Sequence, residues 1–262
     1  MKNNLKGETY VKPRHKNYVD FEVYGDYALF SDVLTRSGGE KSSFSIPSYE
    51  ALKGILKSVY TKPTIVWHIE KCRVMNRIQS YRKGMRPIRY NDGKNDLAYY
   101  TYLRDVRYQV RAYFEWNDNR PELAMDRNEH KHHNIAKRMI ERGGRRDCFL
   151  GTRECYAYVK PCVFGEGKGY YDNSGEIMFG LTYAGIIYAD EAVHEEDQGK
   201  MTVTFWDPVM KDGVLEFVQP EDIVPEMKRH IREMEIKPFG KELKNFIGAE
   251  EFEGGEEFEL GE

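Results

Sequence analysis

Nowhere in this sequence do eighteen apolar residues follow one another, so no segment is built to cross a membrane as a helix. Cysteine is sparse. Cys72, Cys148, Cys155 and Cys162 are the only four in 262 residues, and no two form a CxxC pair. A chain of this length buries a core without cross-links, so the thiols are expected to be reduced and the protein cytoplasmic. The basic N-terminal stretch has no apolar segment behind it and is not expected to act as a signal peptide. No GKS or GKT follows Gly143-Gly144, which excludes a loop that cradles ATP or GTP phosphates. Ser37 and Ser174, the serines near a glycine, lie outside any GxSxG context. Asp32, Asp105 and Asp147 are scattered, without the pairing that a two-metal nuclease needs.

What charge there is lies unevenly. The net charge is −3, yet seven acids and no base follow Gly248, and removing those seven negative charges leaves +4 on residues 1–247. The 248–262 segment repeats Glu-Phe-Glu and Gly-Gly units and is expected to be a disordered, solvated acidic tail. A modest positive balance over the remainder is a weak pointer to nucleic acid, and its placement matters more than its sum.

The pattern of elements is clearer. Residues 19–30 read as a strand bending at Gly25. Ser48 after Pro47 is a plausible cap for a helix whose Leu52, Ile55, Leu56 and Val59 fall at i, i+3, i+4 and i+7, and Pro63 stops it. A β-rich segment (64–75) follows, then a basic, glycine-containing connection (81–96). In 106–116, Val106, Tyr108, Val110, Ala112, Phe114 and Trp116 alternate with Arg107, Gln109, Arg111, Tyr113 and Glu115, a period of two over eleven residues. A second helix begins near NEHKHH, with Asn128 or Asp126 as cap and Gly143 as stop, and 153–164 is again β-like. The order β-α-β-β-α-β predicts an α+β, ferredoxin-like (RRM-like) domain over 19–165. Residues 166–235 predict a smaller β-rich subdomain, with strand-like 176–188 and a hairpin around Asp212-Gly213.

In such a fold each helix runs back along the strand before it. The end of the first helix, at Tyr60, therefore shares one end of the domain with the first turn of the second helix, Glu129-His130-Lys131-His132-His133. A helix N-terminus suits a phosphate, lysine adds a full charge, and histidine, with a reference pKa of about 6.5, exchanges protons near neutrality. These parts match cleavage of RNA by its own 2′-hydroxyl, which needs a base, a cation at the phosphorus and an acid for the leaving oxygen. Solvated polarity at a helix start competes with this reading. A metal site fits less well, because i, i+2, i+3 spacing on a helix scatters the rings and no HExxH pair is present. The segment 81–90 interleaves Arg82, Lys83, Arg86 and Arg89 with Tyr81 and Tyr90, while 141–147 sets Arg142, Arg145 and Arg146 around two glycines. Such loops can grip phosphates and stack on bases, and with Arg107 and Arg111 on one sheet face they outline an RNA path. Taken singly, each is a solvated surface.

Longer runs carry a resemblance. VYGDYALFSDVLTRSGGEKSSFSIPSYEALKGILKSVYTKPT, MRPIRYNDG, LAYYTYLRDVRYQVRAYFEWN, DRNEHKH and ERGGRRDCFLGTRECYAYV, spread over roughly residues 19 to 235, resemble the RAMP superfamily. The resemblance is to the fifth CRISPR-associated protein family in its subtype d form, found in subtype I-C. It implies metal-independent cleavage of repeat hairpins in precursor transcripts, with no cofactor, to give 2′,3′-cyclic phosphate and 5′-hydroxyl ends. It also implies retention on the 5′ handle of the crRNA beside the backbone and large subunits of a surveillance complex; some members bind duplex DNA. The family's catalytic tyrosine, before Lys-Pro, corresponds to Tyr60, and its Lys-His pair after the DRNE turn to Lys131-His132. His132 is then the general acid or base, Lys131 the charge on the phosphate and Tyr60 the orienting hydrogen bond. HKHH departs from the pattern by placing histidines on both sides of the pair, so His130 or His133 stands as an alternative proton carrier. In other subtypes the family protein is a non-catalytic RNA-binding subunit, which is the main rival reading.

Overall fold

A computed structural model describes residues 17–32, 35 and 39–236; the acidic 248–262 segment lies outside the described residues. Strand β1 (Val19–Ala28) leads to helix α1 (Tyr49–Val59), β2 (Ile65–Val74), β3 (Ser80–Met85) and the long β4 (Ala98–Trp116). Helix α2 (Glu129–Glu141), β5 (Cys148–Phe149) and β6 (Tyr156–Pro161) complete the first part. Then come β7 (Glu176–Met178), β8 (Thr182–Ile187), β9 (Lys200–Trp206), β10 (Val209–Lys211), β11 (Val214–Glu216) and β12 (Lys228–Glu233).

Among the described residues nine strands join in one sheet, in the order β5-β6-β1-β4-β2-β11-β10-β7 with β3 on β4. The run β6-β1-β4-β2 has the fourth-first-third-second order of a ferredoxin-like sheet, and all its pairs are antiparallel. The fold is thus the α+β, ferredoxin-like one expected. Residues 166–235 contribute to both sheets: β7, β10 and β11 lengthen the first through β11 on β2, while β8, β9 and β12 form a second. Asp212 and Gly213, at φ 48° and 82°, form the turn between β10 and β11.

Local chemistry explains these elements. The Ser48 side chain accepts from the Ala51 N–H and caps α1, whose Leu52 and Leu56 are fully buried, each contributing about 1.5–3 kcal/mol by leaving water. On β4 the alternation holds over 106–114: Val106, Tyr108, Val110, Ala112 and Phe114 are buried in the core. Gln109 and Tyr113, on the other face, are buried as well, because Gln109 Nε2 donates to the Glu166 carbonyl and Tyr113 Oη to Gln219. One element departs from expectation. Residues 80–85 are not loop but strand, since β4 begins eight residues before the alternating segment and gives Tyr81, Arg82 and Lys83 partners in Tyr102, Thr101 and Tyr100.

Candidate active site

Helix α1 ends at Val59, and Tyr60 turns to extended backbone (φ −157°, ψ 127°), two residues ahead of a Lys62 whose helical conformation Pro63 disfavours. The Tyr60 N–H still reaches the Leu56 carbonyl at 2.8 Å, and its own carbonyl accepts from Trp67 Nε1 at 2.7 Å. The residue is pinned on both sides. Across from it, the Asn128 side chain caps α2 by accepting from the Lys131 N–H at 3.0 Å, which fixes the first turn.

That turn delivers His132 to Tyr60. Their contact, Tyr60 Oη to His132 Nδ1, is 2.8 Å. His132 Nε2 lies 2.8 Å from the Asp126 main-chain oxygen. A carbonyl only accepts, so Nε2 carries a hydrogen; when the ring holds that hydrogen alone, Nδ1 is the acceptor and the Tyr60 hydroxyl donates. Phe114 and Trp116 meet the imidazole edge to face, with centroids 6.2 and 5.7 Å away. His132 is fully buried and Tyr60 is 3% exposed.

Asp126 closes the site. It ends a 3₁₀ turn (Pro121–Asp126), and its carboxylate takes a hydrogen bond from Thr64 Oγ1 at 2.8 Å and an ion pair from Lys131 Nζ. Its Oδ2 is 3.4 Å from His132 Nε2. The bonds from Lys131 and Thr64 hold the Asp126 carboxyl below the usual range. Burial pushes the Tyr60 phenol up, the Asp126 charge adds to the shift, and Arg145 opposes it. Tyr60 therefore enters any reaction as a protonated donor.

Of the basic residues singled out, Arg145 and Arg146 come nearest: their main-chain N–H groups bond the Val59 and Ser58 carbonyls at the end of α1. Arg142, at the end of α2, is exposed. Arg107 and Arg111 each already face a carboxylate, Glu22 at 2.7 Å and a two-pronged Asp20 at 2.8 Å. Arg82, Lys83 and Arg86 lie elsewhere. Arg82 pairs with Thr101, fifteen residues along β4 from Trp116, which is roughly 50 Å of strand. Arg82 covers the Tyr99 ring at 4.3 Å, and Lys83 and Arg86 are exposed. The histidines separate as helical spacing requires: His132 inward, His133 Nε2 on the Tyr18 carbonyl at 2.9 Å, His130 exposed. Among the described residues no three His, Cys, Asp or Glu side chains gather as metal ligands.

Sequence reasoning missed Thr64 and the part Asp126 plays. It weighed carboxylates only as pairs and Asp126 only as a cap. An acid shortly before a Lys-His pair at a helix start was the available signal, and a cap explained it equally well.

Residues 18–218 match the Cas5d family, described as a CRISPR-associated protein. A CRISPR pre-crRNA endoribonuclease, Cas5d, from Mannheimia succiniciproducens is 26% identical, over 54% of this chain and 71% of its own length. The crystal structure of a CRISPR-associated protein is 32% identical with a TM-score of 0.65, covering 79% of this chain and 94% of that one. That of a functionally uncharacterized protein from Streptococcus mutans is 33% identical with a TM-score of 0.66, covering 81% and 96%.

Proposed function

The chain belongs to the Cas5d family of CRISPR-associated proteins, and on that premise we propose that it cuts the repeat hairpins of precursor CRISPR transcripts without a metal ion. The observation that carries this reading is the 2.8 Å bond between Tyr60 and His132, 72 residues apart, beside the Lys131 ammonium. In the proposed reaction the ribose 2′-oxygen bonds to the adjoining phosphorus and the bond from phosphorus to the 5′-oxygen breaks. The products end in a 2′,3′-cyclic phosphate and a 5′-hydroxyl. Burial makes a free Tyr60 phenolate costly, so the phenol relays: its oxygen takes the 2′-hydroxyl proton as its own proton passes to His132 Nδ1. The imidazolium formed is steadied by Asp126, 3.4 Å from Nε2. Lys131 balances the charge growing on the phosphate oxygens, and the leaving 5′-oxygen is protonated from the solvent side, where His130 is exposed. Arg145 and Arg146 hold the RNA beside the site, with Arg142, Arg107 and Arg111 along its path and Arg82, Lys83 and Arg86 at a remote contact. The product then stays bound by its 5′ handle, alongside the backbone and large subunits of a surveillance complex; duplex DNA is a further proposed ligand.

The same residues also motivate a second reading, a non-catalytic RNA-binding subunit, because both His132 nitrogens are engaged and the ring is fully buried. Incubating the purified protein with its own locus's repeat RNA decides between them. Cutting is expected at equal rates in EDTA and in magnesium. Activity that disappears in EDTA and returns with magnesium or manganese overturns the mechanism, and no cutting under either condition favours the second reading.

Asp126 supplies a separate test. Its carboxylate occupies the place beside Lys131 that the proposal gives to a phosphate. Asp126→Asn is expected to tighten binding of an uncleavable hairpin several-fold at low salt, because one negative charge no longer competes. Unchanged or weaker binding, read by fluorescence anisotropy, argues that Lys131 does not meet the RNA.

A further inference from the structure

Toward the β5-β6 end of the large sheet, three tyrosines stand in a row. Tyr158 on β6 lies opposite Tyr24 on β1 in register, and their rings are stacked, with centroids 5.6 Å apart and planes 28° from parallel. Tyr156 meets Tyr158 edge to face at 5.1 Å. The alternation of β6 sends Ala157 and Val159 into the core and leaves Tyr156 46% and Tyr158 56% exposed on the opposite face.

The row is charged on one side and connected on the other. Lys160 Nζ sits 5.1 Å from the centre of the Tyr24 ring. Glu22 faces two cations, Arg107 at 2.7 Å and Lys160 at 2.9 Å. Burial pushes its carboxyl up, but the two cations outweigh that and hold it ionised, so the three groups together carry a net charge of +1. At the far end Tyr156 Oη donates to Asp147 at 3.3 Å. Asp147 directly follows Arg145 and Arg146, whose main chain is docked on the end of α1 next to Tyr60. A line of protein contacts thus leads from the candidate active site, around the sheet edge, onto the tyrosines.

We propose that Tyr156 and Tyr158, backed by Tyr24, form a stacking platform for unpaired nucleotides that adjoin the cut phosphate, with Lys160 and Arg107 meeting the phosphates between them. This rests on the reading of the chain as an enzyme that cuts RNA and gives that enzyme a second recognition element. Paired bases hide their faces inside the helix, whereas unpaired bases offer them to aromatic rings in any sequence. Two half-exposed phenol rings with two cations at one end of the row suit that occupant.

The experiment uses two hairpins with a 2′-deoxy substitution at the cut site, one blunt and one carrying its single-stranded flank, and fluorescence anisotropy with the full chain. Tyr158→Ala is expected to weaken binding of the flanked hairpin roughly ten-fold or more, and to leave the blunt hairpin unchanged. Tyr158→Trp, which keeps a ring face, should restore the flanked hairpin's affinity. Equal weakening for both hairpins, or none for the flanked one, overturns the platform while the cleavage reading stands. Failure of the unaltered protein to bind either hairpin overturns the cleavage reading and the platform with it.

Discussion

Replacing His132 with alanine is expected to slow cleavage of repeat RNA by roughly a hundred- to ten-thousand-fold, the range for losing a proton-transfer group. The proposed relay needs an acceptor behind the Tyr60 hydroxyl, and His132 Nδ1 at 2.8 Å is that acceptor. Tyr60→Phe keeps the ring and removes the hydroxyl, so it should slow the chemical step while leaving the core intact. Lys131→Ala should slow it too and cost one phosphate contact in binding. Replacing Arg145 and Arg146 together should act in the opposite sense, weakening affinity and flattening its salt dependence while cleavage proceeds nearly normally once enzyme is saturating. Single-turnover rates at saturating enzyme, beside anisotropy and thermal melts, separate these effects. The melts matter because His132 is fully buried and its loss leaves a cavity. A full single-turnover rate for His132→Ala, with activity abolished by His130→Ala or His133→Ala, shows that a different imidazole carries the proton. If Tyr60, Lys131 and His132 are all dispensable, the chemistry lies elsewhere.

The largest effect on stability is expected at Gly151. Its φ is +95°, and a Cβ there lies 2.0 Å from the Leu29 carbonyl oxygen, a backbone atom that has no rotamer to escape to. The same crossing carries the Leu29 N–H to Leu150 carbonyl bond of 2.9 Å, so the two segments cannot part without losing it. Gly151→Ala should destabilise the fold by at least about 3 kcal/mol, a fall in Tm on the order of 10 °C, or prevent folding. Gly165 is the control. Its φ of +93° is nearly the same, but no atom lies within 4 Å of the added Cβ, so Gly165→Ala should cost only the backbone strain, about 1 kcal/mol. Equal losses at the two glycines, measured by urea denaturation, would mean that conformation and not the clash sets the penalty.

Much of the fold was readable because it is encoded locally. The apolar positions of 52–59, the Ser48 and Asn128 caps and the alternation of 106–114 each act over one or two turns or a few strand residues, and each reappears in the structure. The β-α-β-β-α-β order then restricts which strands can meet, and the β6-β1-β4-β2 run follows. The strand at 80–85 was not readable. Its pattern is basic and exposed, and it is a strand because β4 extends far enough to offer it backbone partners.

The candidate site divides the same way. Residue types and helix-end geometry suffice to bring Tyr60 toward the Lys131-His132 turn, since both are fixed by where their helices end and begin. Which histidine turns inward also follows from spacing, with His132 three residues before Ile135 on the apolar side of α2. What only the tertiary structure decided is how those groups are satisfied. The 3₁₀ turn at Pro121–Asp126 folds back so that one residue offers its carbonyl to His132 Nε2 and its carboxylate to Lys131 and Thr64. Arg107 and Arg111 read as free cations in the chain, but strand register sets Glu22 and Asp20 beside them. A hydrogen bond or an ion pair between distant segments depends on where both partners end up, and local sequence carries only one of them at a time.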